Sequence, residues 1–343
     1  MKVLHIIDTL NPGGAERVCV DLTNLLYQKG FQVSVLTITE LGSLMALLDT
    51  DIELNNLGRK SKFDLMSMFK LKAILQDFDI IHVHMRYTYQ YVRLVAIIFG
   101  LRKKIILHDH YGGIGVDHRV PFFLSNILKP RYYIGVCKEL TTWAEQKLRV
   151  DPRHVYLLAN IVMQAEHMVH PESDTGVLVA NFNRIKNHLF AIQLAEKLKF
   201  KLVIYGKIID PIYFQEITEY VQQRGLSEWI TFIHDEIHVQ QHLAKYKFGL
   251  HTALSESGPL VLIEFLAQSL PFLAYDTGQV ASTIKKDLPD SFVGNFILDD
   301  WAVHLQKVLK MDQQCLFEVY KKYFDPQEYV AKCINIYEEI LST

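Results

Sequence analysis

Two carboxylates, Glu256 and Glu264, flank a Gly-Pro turn and an apolar run in SESGPLVLIEFLA, residues 255–267. The buried-strand pattern FGLHTA precedes them and PFLAYD follows. This order puts Glu256 on a loop and Glu264 about two turns into the next helix. A fully helical spacing would span ~12 Å. A ligand with hydroxyls at both ends and a diphosphate between, such as an activated sugar on its nucleotide, has comparable reach. One acid would meet the sugar and the other the ribose. The helix N-terminus between them would face the diphosphate, since free N–H groups and the helix dipole favour anions.

Other residues at strand-to-helix junctions extend the same chemistry. Asn11-Pro12-Gly13-Gly14 lies between the first strand and the first helix, where glycines let backbone N–H groups approach a phosphate or sugar. It is not the GxGxxG dinucleotide fingerprint, and a plain turn remains open. Arg184 and Lys186, in ANFNRIKNH, would complement a leaving diphosphate or form a solvated basic turn. Asp276-Thr277-Gly278-Gln279 is a donor contact or a turn. Tyr87, Tyr89 and Tyr91, interleaved with Arg86 and Arg93, form an acceptor platform or an exposed helix start. His82, His84, His108 and His110 end two strands. Ordinary metal-ligand spacings are missing and alternate strand residues diverge, so no metal is expected. One histidine bonding a sugar, with His110 the best candidate, is preferred.

The elements that must position these residues follow from hydrophobic rhythm. Runs rich in Val, Ile and Leu alternate with helical segments, which predicts parallel sheets covered on both faces. The strand candidates are 2–8, 32–38, 79–84, 104–110, 132–137 and 154–159. After a polar stretch at 163–175 they resume at 176–182, 201–206, 229–235, 248–253, 271–276 and 292–297. The α/β expectation is two facing Rossmann-like domains with an interdomain cleft. Residues 1–165 would serve the acceptor and 166–325 the donor, followed by a helix over 326–343. Ligands of open α/β sheets bind beyond the strands' C-terminal ends.

The 343 residues, half hydrophobic and 22% charged, suit a two-domain globular protein. A net charge of −2 predicts no nucleic-acid partner. Cys19, Cys137, Cys315 and Cys333 are dispersed, which suits a reducing cytosol. A signal peptide and a spanning segment are not expected, so a cytoplasmic location is. The basic segment 59–75 would either rest peripherally on the inner face of an anionic membrane, through Lys60, Lys62, Lys70 and Lys72, or pack as an ordinary helix.

In order along the chain, GGAER (13–17), HDH (108–110), GVCKEL (135–140), LLANI (157–161), VANFNRIKN (179–187), the spaced glutamates and SLPFLAYDTGQV (269–280) resemble the retaining GT-B glycosyltransferases of glycosyltransferase family 4. The resemblance implies transfer of a sugar from a UDP- or GDP-sugar to a glycan or lipid-linked acceptor. It further implies retention, no metal or cofactor, and a setting in bacterial surface polysaccharide or lipopolysaccharide synthesis. It places Gly14 near the donor phosphate or acceptor, His110 and Glu256 at the transferred sugar, Lys186 at the diphosphate and Glu264 at the ribose. Arg184, Ser257, Gly258 and Leu260 would complete the donor site; Gly13, Arg86 and Tyr87 would serve the acceptor. The final helix would cross back onto the first domain. Asn181 stands where the family has Arg, Cys137 where it commonly has Ser, and Pro259 removes a backbone N–H. A nucleotide-sugar epimerase and a catalytically weak GT-B partner subunit are the alternatives.

Overall fold

The computed structural model describes residues 1–61, 64–165, 174–234 and 236–343. Lys62, Asp235 and the 166–173 portion of the polar stretch lie outside the described residues. Two compact units result, Met1–Ile161 with Pro326–Thr343, and Val162–Asp325.

The first unit runs β1 (Lys2–Ile7), α1 (Gly14–Gln28), β2 (Gln32–Thr37), β3 (Glu53–Asn56), α2 (Leu65–Gln76), β4 (Ile80–His84), α3 (Arg86–Ile98), β5 (Lys104–Asp109), α4 (Phe122–Ser125), β6 (Tyr132–Gly135), α5 (Lys138–Gln146) and β7 (Val155–Leu157). The second runs β8 (Thr175–Val179), α6 (His188–Leu198), β9 (Lys201–Tyr205), α7 (Pro211–Gln223), β10 (Ile230–Ile233), α8 (Val239–Leu243), β11 (Phe248–His251), α9 (Leu260–Ala267), β12 (Phe272–Tyr275), α10 (Gly278–Ile284), β13 (Phe292–Val293), α11 (Leu298–Val308) and α12 (Gln313–Tyr323). The last helix, α13 (Pro326–Ser342), belongs to the first unit, where Tyr337 hydrogen-bonds His82.

The described strands form two parallel sheets, ordered 3-2-1-4-5-6-7 and 10-9-8-11-12-13. The strand order reverses beside β1 in the first sheet and beside β8 in the second. At such a switch point adjacent loops part and leave a crevice at the carboxyl ends of the strands. The loops after β8 and β11 therefore flank the crevice of the second unit, and those after β1 and β4 that of the first.

Apolar runs form these strands because both faces are covered. On β8, Val177 packs into one hydrophobic cluster and Leu178 into another. Helix starts follow local chemistry: Asp64 caps α2 by accepting from the Ser67 N–H, and Asp210 caps α7 before Pro211. Gly30, at φ 82°, closes α1, with the N–H of Phe31 donating to the Leu26 carbonyl. Strand β3 was not expected. Its sequence ELNN has no apolar alternation, and it pairs with β2 at the sheet edge.

Gly42 fixes the loop after β1. It has φ 85°, and a Cβ there would fall 2.2 Å from the Leu10 carbonyl carbon. Gly30 shares the left-handed backbone but a Cβ would meet nothing within 4 Å. Both Gly→Ala variants should lose roughly 1 kcal/mol to backbone strain. Gly42→Ala should lose more, because Leu10 must also move. Denaturant melts of the two variants compare them directly, and equal losses would refute the close-approach account.

Candidate active site

The loops at the β8/β11 switch point are stitched together by a backbone bond and a side-chain bond. The N–H of Leu254 donates to the Ile185 carbonyl (2.8 Å), and Thr252 Oγ1 donates to the Lys186 carbonyl (3.0 Å). This brings Lys186, in a short 3₁₀ turn after β8, against Glu256 on the loop after β11, and their side chains form an ion pair. His251 Nε2 lies 3.6 Å from the same carboxylate. Burial pushes the Glu256 carboxyl up, but the Lys186 ammonium and His251 outweigh it and hold the group at about 2.

The 277–279 segment supports this loop. The Glu256 N–H donates to Thr277 Oγ1 (3.3 Å) and the Gln279 N–H to the Ser257 carbonyl (2.8 Å). Gly278 has φ 84°, and a Cβ there would sit 3.0 Å from the Glu256 carbonyl oxygen. Ser257 and Gly258 are buried in the loop. Pro259 is the N-cap of α9, Leu260 its first residue, and Glu264 lies half-buried little more than one turn in, nearer the start than expected.

Arg184 points elsewhere. Its guanidinium pairs with Glu216, lies 3.9 Å from Asp210 and stacks over Tyr213 on α7. Its partners are therefore Asp210, the N-cap of α7, and Glu216 within that helix, rather than Lys186. Asn181, where the resembled family has Arg, accepts from the Lys207 N–H and so serves a turn.

In the first unit, Gly13 is the N-cap of α1 and Gly14 its first residue. Arg86 is held on one side, while one of its terminal guanidinium nitrogens is buried without a hydrogen-bond partner among the described residues. Its Nε donates to buried Asp109 (2.6 Å), and its guanidinium lies 4.0 Å over Trp143. Tyr87 is exposed and its hydroxyl accepts from Arg59. Asp8 follows β1, and its Oδ1 is buried without a hydrogen-bond partner among the described residues.

The histidines are gathered rather than dispersed. Register places His5 beside His82 and His84 beside His108. His82 and His84 are two residues apart, hence on one face, as are His108 and His110; the expectation of divergence is corrected. His5 Nδ1 lies 3.1 Å from His84 Nε2, and His84 Nδ1 lies 3.2 Å from His110 Nε2. His82 Nε2 lies 2.9 Å from His108 Nδ1, and its Nδ1 lies 2.6 Å from the Tyr337 hydroxyl. The donor atoms of His82, His84 and His108, and those of His5, Cys19 and His84, lie within 4.8 Å of one another. All but half-buried His110 are wholly buried. Burial holds His5 and His110 at about 3, and burial with neighbouring imidazoles holds the other three well below the ordinary value.

Two family models divide nearly the whole chain between them. "Glycosyltransferase Family 4" matches residues 12–163 and "Glycosyl transferases group 1" matches 164–322. The chain belongs to the GT-B glycosyltransferases. This glycosyltransferase is 22% identical over 315 residues to the putative glycosyltransferase EpsF of Bacillus subtilis (strain 168), covering 80% of this chain and 79% of that one. Its fold matches a glycosyltransferase from Rickettsia africae ESF-5 with TM-score 0.78 at 16% identity, covering 99% and 98% of the two chains. It matches Anabaena Alr3699/HepE, solved with UDP and glucose, with TM-score 0.80 at 15% identity and 98% coverage of both.

The buried imidazoles generate a pH prediction. Their folded-state values lie below the unfolded value of 6.5, so the unfolded chain binds more protons at acidic pH. Stability is fully present above pH 6.5 and falls as pH drops towards 3. Each imidazole contributes a slope of up to about 1.4 kcal/mol per pH unit. Urea unfolding at pH 7.5, 6 and 5 should show steep loss; a flat profile would contradict the neutral buried cluster.

Proposed function

We propose that this glycosyltransferase is a retaining, metal-independent enzyme. It transfers a sugar from a nucleotide-sugar, UDP-linked in the first instance, to a glycan or lipid-linked acceptor in bacterial surface polysaccharide or lipopolysaccharide synthesis. The observation that carries the donor reading is the Lys186–Glu256 pair in the switch-point crevice, one turn before α9. Lys186 and the helix N-terminus would bind the diphosphate and stabilise its charge as it departs, the part a metal ion would otherwise play. Glu256 would hold the transferred sugar and Glu264 the ribose. His110 would contact a sugar hydroxyl. The acceptor oxygen bonds to the anomeric carbon as the bond to phosphate breaks on the same face, and the acceptor proton passes to the departing phosphate oxygen.

The fold neighbours support the donor and setting. Anabaena Alr3699/HepE is solved with UDP-glucose, the pneumococcal O-GlcNAc transferase GtfA with UDP and GlcNAc, and WaaB is a lipopolysaccharide outer core galactosyltransferase.

The membrane reading has its own observation. No helix among the described residues is long and apolar enough to cross a membrane. Yet α2 buries Met68, Leu71 and Leu75 while exposing Leu65, Met66 and Phe69 beside Lys70. An apolar outer face flanked by lysine suits an anionic lipid surface. Sedimentation with anionic vesicles at low salt, lost in a Leu65→Ser, Met66→Ser, Phe69→Ser variant, is the expected result; no sedimentation of the parent protein would refute contact.

For catalysis, a panel of nucleotide sugars assayed with and without EDTA should release nucleoside diphosphate equally in both. Restoration by Mg²⁺ after loss in EDTA would overturn metal independence, and an isomerised donor would indicate an epimerase. Glu264→Ala should weaken UDP binding by roughly tenfold to a hundredfold, the range for a hydrogen bond to a charged group. Glu256→Ala should lower turnover and leave UDP affinity nearly intact. Calorimetry beside a steady-state assay separates them, and equal losses of UDP affinity would show the roles misassigned.

A further inference from the structure

The imidazole chain through β1, β4 and β5 constrains where protons can sit. A neutral imidazole carries one N–H and one bare nitrogen. Each close nitrogen pair, His5 Nδ1 with His84 Nε2 and His84 Nδ1 with His110 Nε2, can hold only one proton between its two atoms. The tautomers are therefore locked in series, and only two polarities exist.

In one polarity, His5 donates through Nδ1 to His84, His84 donates through Nδ1 to His110, and His110 carries its proton on Nδ1. In the other, every proton moves across, and His5 Nε2 carries an N–H. That nitrogen is buried and has no hydrogen-bond partner among the described residues. A buried N–H without an acceptor is rarer and costlier than a bare acceptor. The first polarity is the one the surroundings favour.

We infer that His5 and His84 are positioning residues that hold His110 as its Nδ1–H tautomer, so that this ring offers its ligand a neutral hydrogen-bond donor and cannot act as a general base. With Nε2 occupied by the His84 N–H and Nδ1 already protonated, the ring has no lone pair for an incoming proton. The group it suits is an oxygen acceptor, such as a sugar hydroxyl oxygen. This rests on the assignment of His110 to the transferred sugar, and it adds that the contact orients the sugar without removing its proton. It fits a reaction in which the phosphate oxygen takes the acceptor proton.

The test is long-range ¹H–¹⁵N correlation of the histidine rings in the full-length protein. His110, assigned by the signals lost in His110→Asn, should show a protonated Nδ1 and a bare Nε2. His84→Phe should mix the two tautomers. A wild-type His110 carrying its proton on Nε2 overturns the proposal whatever the activity. So do ring shifts of metal ligands with stoichiometric bound metal, which would make the cluster a metal site. In the transfer assay, His110→Asn retains a donor near the Nδ1 position and should keep more turnover than His110→Ala, by about tenfold, the upper range for one neutral hydrogen bond. Equal loss in both variants, with a bell-shaped pH profile abolished in both, would indicate a general base and refute the inference. A confirmed tautomer with full activity in both variants would refute instead the placement of His110 at the sugar.

Discussion

A carboxylate taken out of water must find a cation, and Glu256 finds Lys186. The loops after β8 and β11 in the second unit are arranged around that pair. Removing either partner would strand a half-buried charge, so each loop carrying one needs fixing to the other. Backbone and threonine hydroxyl bonds do this: Leu254 N–H to Ile185, Thr252 Oγ1 to Lys186, and the 277–279 segment braces the loop from its far side. The parallel sheet supplies the reason these loops meet at all, because β8 and β11 are neighbours where the strand order reverses.

The alternation of apolar runs made the sheets legible, since covered parallel strands need such runs and little else forms them. It missed β3, whose polar sequence is tolerable only at an edge. Lys186, Glu256 and the 277–279 turn, each singled out in the sequence at a strand end, are brought together by the fold. The site was illegible where a side chain chooses among neighbours. Arg184 is two residues from Lys186, yet it pairs with Asp210 at the N-cap of α7 and with Glu216 on that helix. Arg86 reads as an acceptor platform or an exposed helix start, yet it lies against Asp109 and Trp143. Those partners are 23 or more residues away in sequence, so no local pattern announces them.

The histidine cluster shows the same limit in a different form. His82 with His84, and His108 with His110, can be placed on common faces from spacing alone. That β1 sets His5 against His82, and that β5 sets His108 against His84, depends on strand register. Five imidazoles then share one region of a parallel sheet, where aliphatic side chains would pack at lower desolvation cost. Such a buried polar network holds its members in fixed orientations when its hydrogen bonds are made. Tyr337 joins it from α13, so that helix is tied to β4 across 255 residues of sequence.

The Lys186–Glu256 pair also bears on how a donor would be received. On the proposed reading, an arriving diphosphate brings two anionic groups towards a lysine already neutralised by Glu256. Charge-assisted bonds to phosphate are stronger than neutral ones, so the phosphate competes for the ammonium. As Lys186 turns to the diphosphate, Glu256 loses part of the attraction that holds its carboxyl near 2. Its desolvated oxygens then need donors, and the hydroxyls of the transferred sugar are the donors the same ligand carries. Binding the nucleotide end would thereby favour capture of the sugar end, because a half-buried carboxylate that loses its lysine partner is left under-solvated with His251 beside it.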